Sequence, residues 1–569
     1  MNAGGLVVLV ALLGLVTAAA FAVRPRGAST IDFYLAGQRV GVVTNACAIC
    51  GDYFSAASFL GVAAAVYASG LDGVWYATGF AAGFVPVLLF VAAPLRRFGE
   101  FSIPDFLGRR LGSERVRLAA VGVVQVVILS YLVPQAVGGG ITWQLLVGWG
   151  LAGLSPYATG ILLSTTVITA LVAFGGMRGT TWTQAAQFLF LLAALLWLAA
   201  VAWGTGFSYP QAVGELADQP LHHPVTVDGG MRLQVEPSRL EADQPARFGE
   251  PGARYGRLGQ FALVATLMMG TAGLPHVMNR YFTSPTGTAA RMTTVWVLGL
   301  AGVFYALAVM LGTAARALIP DAVAGRPWLE ELTVDGVLRV PEHALLVLGR
   351  LHGAAPGLGF VATGALLAVM STIAGLLLAS AASWGHDVYE RHVNPMATQA
   401  QAVRAGRVAV VVAAAVSAAL ALAIQPEALS ALFPSIVATM VTWAFALAGS
   451  ALTPVLLLSI WWRDMTGAGA VAGMLVGAVT AVAMVAAGGA LGQGDMAPLL
   501  MTPTLVAAPL AALTAVVVSR RTDVRVDADE VWLRLHGTAA DRQAERLARL
   551  TILGVRDQTV LGRRPWNGR

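Results

Sequence analysis

The stretch TNACAICGDYFSAASFLGVAAAVYASG, residues 44–70, is apolar and long enough to cross a bilayer. Its middle nonetheless carries Asn45, Gly51, Asp52, Tyr53, Ser55 and Ser58. Polar groups at that depth are costly unless protein or water receives them, so the pattern predicts a helix that breaks near mid-membrane. A second stretch, QFALVATLMMGTAGLPHVMNRYF at 260–282, is interrupted by Gly270, Gly273 and Pro275. Unwound carbonyls at such breaks can coordinate a cation, and the exposed helix N-termini can face an anion.

The composition fits this setting. The chain has 569 residues, 57% hydrophobic and 12% charged, against roughly 25% charge in a soluble domain. Mean hydropathy is +0.72. These values exclude an ordinary soluble enzyme, a disordered chain and a nucleic-acid binder. The net charge of +6 comes from 36 basic residues, all arginine, whose placement in loops sets topology. There is no phosphate-binding P-loop, so ATP-driven transport is not expected. Cys47-Ala-Ile-Cys50 has C-x-x-C spacing but lies in a membrane helix, outside the context of a redox motif.

Thirteen spans are predicted: 4–23, 41–69, 73–95, 116–147, 158–175, 182–204, 257–275, 292–315, 357–385, 405–424, 437–462, 467–489 and 498–519. The first has no positive charge before it, and Arg24 and Arg26 follow it. That order is the reverse of a signal peptide. The loop at 96–117 holds Arg96, Arg97, Arg109, Arg110, Arg115 and Arg117, which predicts a cytoplasmic position, with the N-terminus outside and the C-terminus inside. The long polar loops 205–256 and 316–356 then fall outside. A short amphipathic helix is expected in the tail, around Asp541–Leu553.

Span 2 opens one group of five helices and span 7 a second group of five. Five is odd, so the groups enter from opposite sides, which is an inverted-topology repeat with one broken helix in each half. The expected organisation is a first span and loop (1–40), a ten-helix core (41–462, repeats 41–204 and 257–462), two flanking spans (463–519) and a cytoplasmic tail (520–569).

Asp52 is the one acid placed near mid-span. It can attract a cation, carry a proton, or cap the helix restart. Ser371 and Thr372 are adjacent hydroxyls in span 9. They can serve a hard cation such as Na⁺, or only bond the preceding turn. His276 and Arg280, one turn apart at the inner end of span 7, can meet a departing carboxylate at the cytoplasmic mouth, but are expected rather as a snorkelling, headgroup-facing pair. His222 and His223 alone make a poor metal site.

The chain resembles the sodium/solute symporter family, and within it the acetate permease (cation/acetate symporter) branch. The resemblance rests on GDYFSAASFLGVAAAVYASGLDGVWYATGF at 51–80, SIPDFLGRRL at 102–111, FGGMRGTTWTQ at 174–184, GLPHVMNRYFTSP at 273–285, MSTIAGLLLAS at 370–380 and GHDVY at 385–389. It implies an all-α polytopic membrane protein with a LeuT-type core of ten helices and about 13 in all. It implies Na⁺ as the coupling ion and a Na⁺ site formed by the carbonyls of Gly51, Phe54 and Ala368 with the hydroxyls of Ser371 and Thr372. Solute binding is implied at Tyr53, Ser55, Ser58 and Gln135. The sequence departs from the acetate branch at YLVPQAVGGG, 131–140, where Pro134 stands in place of the usual Ala. A proline there is expected to kink span 4 or free a carbonyl.

The function implied is import of a short monocarboxylate, such as acetate, propionate or pyruvate, across the plasma membrane by Na⁺ symport. No organic cofactor, nucleic acid or ATP is involved. Alternatives are H⁺ coupling with Asp52 as the coupling group, a different solute such as an amino acid or polyol, and a transporter-like sensor.

Overall fold

The computed structural model describes Gly14 and residues 29–98, 101–227, 230–241, 243–424, 435–491, 496–523 and 528–537. Span 1, apart from Gly14, and the expected tail helix at 541–553 lie outside the described residues. In hydrocarbon every backbone N–H and C=O must be paired within the chain, so apolar runs of this length fold as helices. Eight helices are long and apolar enough to cross a membrane, and nine once Gly256–Gly273 and Pro275–Phe282 are joined as one span bent by 42°. Two of these helices each hold two expected spans, as shown below, and Thr504–Ser519 is a further apolar helix. The twelve expected spans within the described residues are thereby accounted for.

Span 2 is Val42–Tyr53, a break, one turn widened to the π form over Ala57–Gly61, and Val62–Ser69. Span 3 continues to Phe98 after a short corner at Gly70–Gly73. Spans 5 and 6 are one helical run, Pro156–Gly204, turned at the single residue Gly176 (φ 57°, ψ −165°). A straight run of 49 residues would be about 73 Å long at 1.5 Å per residue, far beyond a bilayer of roughly 30 Å, so both legs are needed. Span 9 begins at a second such corner, Ala354 (φ 49°, ψ −138°), preceded by a helical arm starting at Ala344. Pro134 lies inside the helical run Glu114–Leu146, which passes through it.

Side-chain caps set several starts. Ser102, Ser113, Ser155, Thr286 and Ser435 each accept a backbone N–H three residues on, and Thr398 with Gln401 forms a full capping box. The long polar loops are structured rather than purely helical. His222–Val227 pairs antiparallel with Gly230–Val235, and Thr333–Val334 with Val337–Leu338. These hairpins depart from the all-helical expectation outside the membrane.

Span 9 is the central post. It packs against spans 4, 5–6, 8 and 10, and its most apolar window is wholly buried, whereas that of span 12 is 28% buried. The first half of span 2 lies between spans 5–6, 8 and 9. Two broken elements and a buried post thus meet in the middle of the molecule.

Candidate functional site

The first half of span 2 ends at Phe54 (φ −78°, ψ 78°). The chain restarts when the Ser55 carbonyl accepts the N–H groups of Ser58 and Phe59 at 3.0 and 2.9 Å. Carbonyls near such an end lose helical partners and need others. Span 9 supplies them: the Ser371 hydroxyl donates to the Gly51 carbonyl, and the Thr372 hydroxyl to that of Asp52 at 2.7 Å. All four residues are fully buried. Gln184 of span 6 donates from Nε2 to the Ser371 carbonyl at 2.7 Å. Gly51 packs so closely on the Gln184 backbone that a Cβ would overlap it. The result is a compact cluster of carbonyl and hydroxyl oxygens. A hydroxyl can rotate its proton away and offer a lone pair, which suits a hard cation without a full negative charge in the shell.

Among the residues implied by resemblance, the structure brings Gly51, Ser371 and Thr372 together. It adds the Asp52 carbonyl, which the sequence did not single out. Phe54 stands at the helix end just beyond, and Ala368 one turn before Thr372 on span 9. The hydrogen bonds that tie the hydroxyl pair to span 2 run to Gly51 and Asp52.

The Asp52 side chain does not cap the restart. It pairs with Arg280, Nε to Oδ2 at 3.3 Å, with the two side chains 0% and 1% exposed. Arg280 also donates to Thr181 Oγ1 at 2.7 Å and to Gln184 Oε1. This corrects the expected headgroup-facing role of Arg280 and His276, both of which are buried. The reason is the 42° bend at Leu274, which turns Pro275–Phe282 into the protein. Arg280 thereby joins both broken spans to span 6. Gly375, one turn beyond the hydroxyl pair, leaves room for the Asp52 carboxylate, since a Cβ there would overlap it.

The restart is capped instead by Gln135, whose Oε1 accepts the Ala56 N–H at 3.1 Å. Tyr53 donates to the Phe80 carbonyl at 3.0 Å and pairs with Thr271 Oγ1 at 2.7 Å. Ser58 pairs with the Tyr305 hydroxyl at 2.8 Å. Among the four expected solute residues, spare hydrogen-bonding capacity lies on Gln135 Nε2, buried without a partner, and on Ser55 Oγ, whose neighbour is the Tyr131 hydroxyl. His276 has two unpartnered ring nitrogens and is 1% exposed. Its ring stands edge-on to Tyr131 at 5.4 Å, and Tyr131, one turn before Gln135, turns its hydroxyl towards Ser55. The sequence did not tell that His276 is buried, because its position after Pro275 reads as a helix end. The signal available was its place directly beside the second break.

The profile of the sodium:solute symporter family matches residues 33–477. The chain belongs to the sodium:solute symporter family. It is therefore a multi-pass membrane transporter and not an enzyme. A monocarboxylic acid transporter of Corynebacterium glutamicum is 32% identical over 517 residues, covering 84% of each chain. An uncharacterized symporter of Bacillus subtilis, YwcA, is 30% identical over 527 residues, covering 90% of this chain and 94% of its own. A Na⁺-coupled sialic acid symporter, solved substrate-bound and outward-open, superposes with a TM-score of 0.65 at 15% identity over 92% of this chain and 98% of its own. A nucleobase-cation-symport-1 transporter in a closed conformation gives a TM-score of 0.50 at 13% identity, over 88% and 98% of the two chains. These likenesses fix the fold as the LeuT-type helical core.

Proposed function

We propose that this protein imports a short monocarboxylate, such as acetate, propionate or pyruvate, together with Na⁺ by alternating access. The observation that carries the reading is the pair of span-9 hydroxyls bonded to the Gly51 and Asp52 carbonyls at the break of span 2. Na⁺ binds there by replacing those hydroxyl–carbonyl hydrogen bonds with ion–oxygen contacts, with Phe54 and Ala368 offering further carbonyls. The carboxylate of the solute is received beside the same break by the hydroxyl of Ser55, the free amide hydrogens of Gln135 and an N–H of His276. Tyr53 and Ser58 shape the wall through their bonds to the neighbouring spans. The C. glutamicum relative's name supports a monocarboxylate.

Ion and solute sites share the backbone of one broken helix, so occupancy of one stabilises the arrangement the other needs. Such coupling is reciprocal, and release of Na⁺ to low internal concentration weakens solute binding. In this reading residues 41–204 and 257–462 are the two repeats that rock against each other. The N-terminus lies outside and the tail inside.

The test is uptake of radiolabelled acetate by proteoliposomes under an inward Na⁺ gradient or an inward H⁺ gradient, with protein-free liposomes as control. Na⁺-driven accumulation is expected. Accumulation driven by H⁺ alone would move the coupling role to Asp52, and absence of protein-dependent uptake would overturn the solute assignment. In the Ser371→Ala, Thr372→Ala double variant, the Na⁺ concentration for half-maximal uptake is expected to rise about tenfold or more, the effect of about 1.4 kcal/mol. An unchanged Na⁺ dependence in a well-inserted variant would sink the site.

A further inference from the structure

A second buried constellation lies away from the transport site, at the face that carries the arginine-rich loop. Ser102 caps the helix Ile103–Leu111 by accepting the Asp105 N–H at 3.0 Å, which fixes Asp105 in the first turn. The end of span 9 runs in the wide π form over Ser383–Val393 and brings His386 and Asp387 against that turn. π segments of this kind recur at functional sites. Asp105, His386 and Asp387 are all buried, and one ligand-type atom from each lies within 4.8 Å of the other two.

Each member is held from behind, which leaves one face turned inward. His386 Nδ1 meets Glu390 Oε2 at 2.8 Å. The other ring nitrogen, Nε2, lies 3.7 Å from Asp105 Oδ2, beyond hydrogen-bond distance, and faces the inside of the triangle. Asp387 Oδ2 accepts the Ser102 hydroxyl at 2.7 Å, while its Oδ1 is buried without a partner. Asp105 Oδ1 faces Arg117 at 3.2 Å and Arg109 at 3.3 Å, and its Oδ2 is approached by the Phe101 N–H at 3.4 Å. A histidine whose second nitrogen is bonded to a carboxylate, beside carboxylates oriented by their own donors, is the support pattern of a metal ligand set.

We propose that Asp105, His386 and Asp387 bind a divalent transition-metal ion, with Zn²⁺ the best match to one imidazole nitrogen and two carboxylate oxygens. An ion inside that triangle sits at most about 2.8 Å from each atom, so side-chain shifts of up to about 0.7 Å reach Zn–ligand lengths of about 2.0–2.2 Å. Water fills the remaining position. Buried together here are the Asp105 and Asp387 carboxylates, the Arg117 guanidinium and the His386 ring. Glu114, Glu390, Arg109 and Arg391 stand at the rim, so a dication is not repelled by the net charge of the pocket. The bound ion joins the loop helix to the end of span 9.

The test uses untagged, full-length protein in nanodiscs, stripped with chelator and dialysed against ZnCl₂, with metal content read by mass spectrometry. About one equivalent is expected in the wild type and markedly less in His386→Asn and Asp387→Asn. Co²⁺ is used as a spectroscopic probe on the wild type, where visible d–d absorption that Zn²⁺ displaces is expected. Ser102→Ala removes the hydrogen bond to Asp387 and the cap that fixes Asp105 but no ligand, and is expected to weaken Zn²⁺ binding about 10- to 100-fold. Zn²⁺ content in folded His386→Asn equal to wild type, or no displaceable Co²⁺ absorption in the wild type, would overturn the proposal and leave the cluster as an ion-pair joint.

Discussion

Gly375 shows how one missing methyl group can carry a site. The Asp52 carboxylate occupies the space where a Cβ at 375 would stand, and that carboxylate is the partner of a buried guanidinium. Separating such a pair leaves an uncompensated buried charge, at a cost of about 3–5 kcal/mol. Gly375→Ala is therefore expected to abolish Na⁺-driven uptake while the protein still inserts, with a lowered thermal midpoint in detergent. Normal uptake by Gly375→Ala would show that the Asp52–Arg280 contact is dispensable. At this scale the sequence was informative where chemistry is local. Ser371, Thr372 and Gly51 stand out as oxygen and flexibility in an apolar setting. Arg280 and His276 do not, because residue type at a helix end does not tell whether a bend carries it to the headgroups or into the core. Gln135 was legible as a polar residue in span 4, but its bond to the Ala56 N–H depends on how two spans dock.

At the scale of elements, apolar runs marked out the described spans, and the break at Leu274 follows from the Gly and Pro around it. The span boundaries at 175–182 and 357 fall at the corners Gly176 and Ala354, but the sequence does not tell that each turn is made by a single residue, with helix running up to it on both sides. The outer hairpins were also missed. In HHPVTV and GMRLQV the strand signal is short and sits within a polar loop. The first hairpin has its own electrostatic tie: Glu236 faces His223 at 2.8 Å and Arg254 at 3.4 Å. Burial pushes the Glu236 carboxyl up, but the His223 hydrogen bond and the charge of Arg254 outweigh it and hold it below its ordinary value. A carboxyl depressed in the folded state stabilises it above the unfolded value of about 4.3, and that stability is lost as pH falls through the folded value. Protection of the amides of 222–227 and 230–235, taken against their intrinsic exchange rates at each pH, is expected to fall below about pH 4 in the wild type. In Glu236→Gln the same segment is expected to exchange faster already at pH 7. Equal exchange in both proteins at pH 7 would refute the tie.

At the scale of the whole molecule, the ordering of burial separates a working interior from a jacket. The oxygen cluster and the Asp52–Arg280 pair lie on or beside span 9, whose apolar window is wholly buried. Spans 10 and 12, buried over 39% and 28% of theirs, form part of the outer surface. Hydrophobic mismatch acts only through surfaces that touch acyl chains. Changing acyl length from fourteen to twenty-two carbons in reconstituted vesicles is thus expected to alter turnover, as the jacket tilts to fit. It should leave the Na⁺ concentration for half-saturation of equilibrium solute binding within about twofold. If the proposed ion site is the oxygen cluster, the acyl chains have no direct contact through which to reach it, and one sequence would keep a constant ion affinity while the cell remodels its lipids.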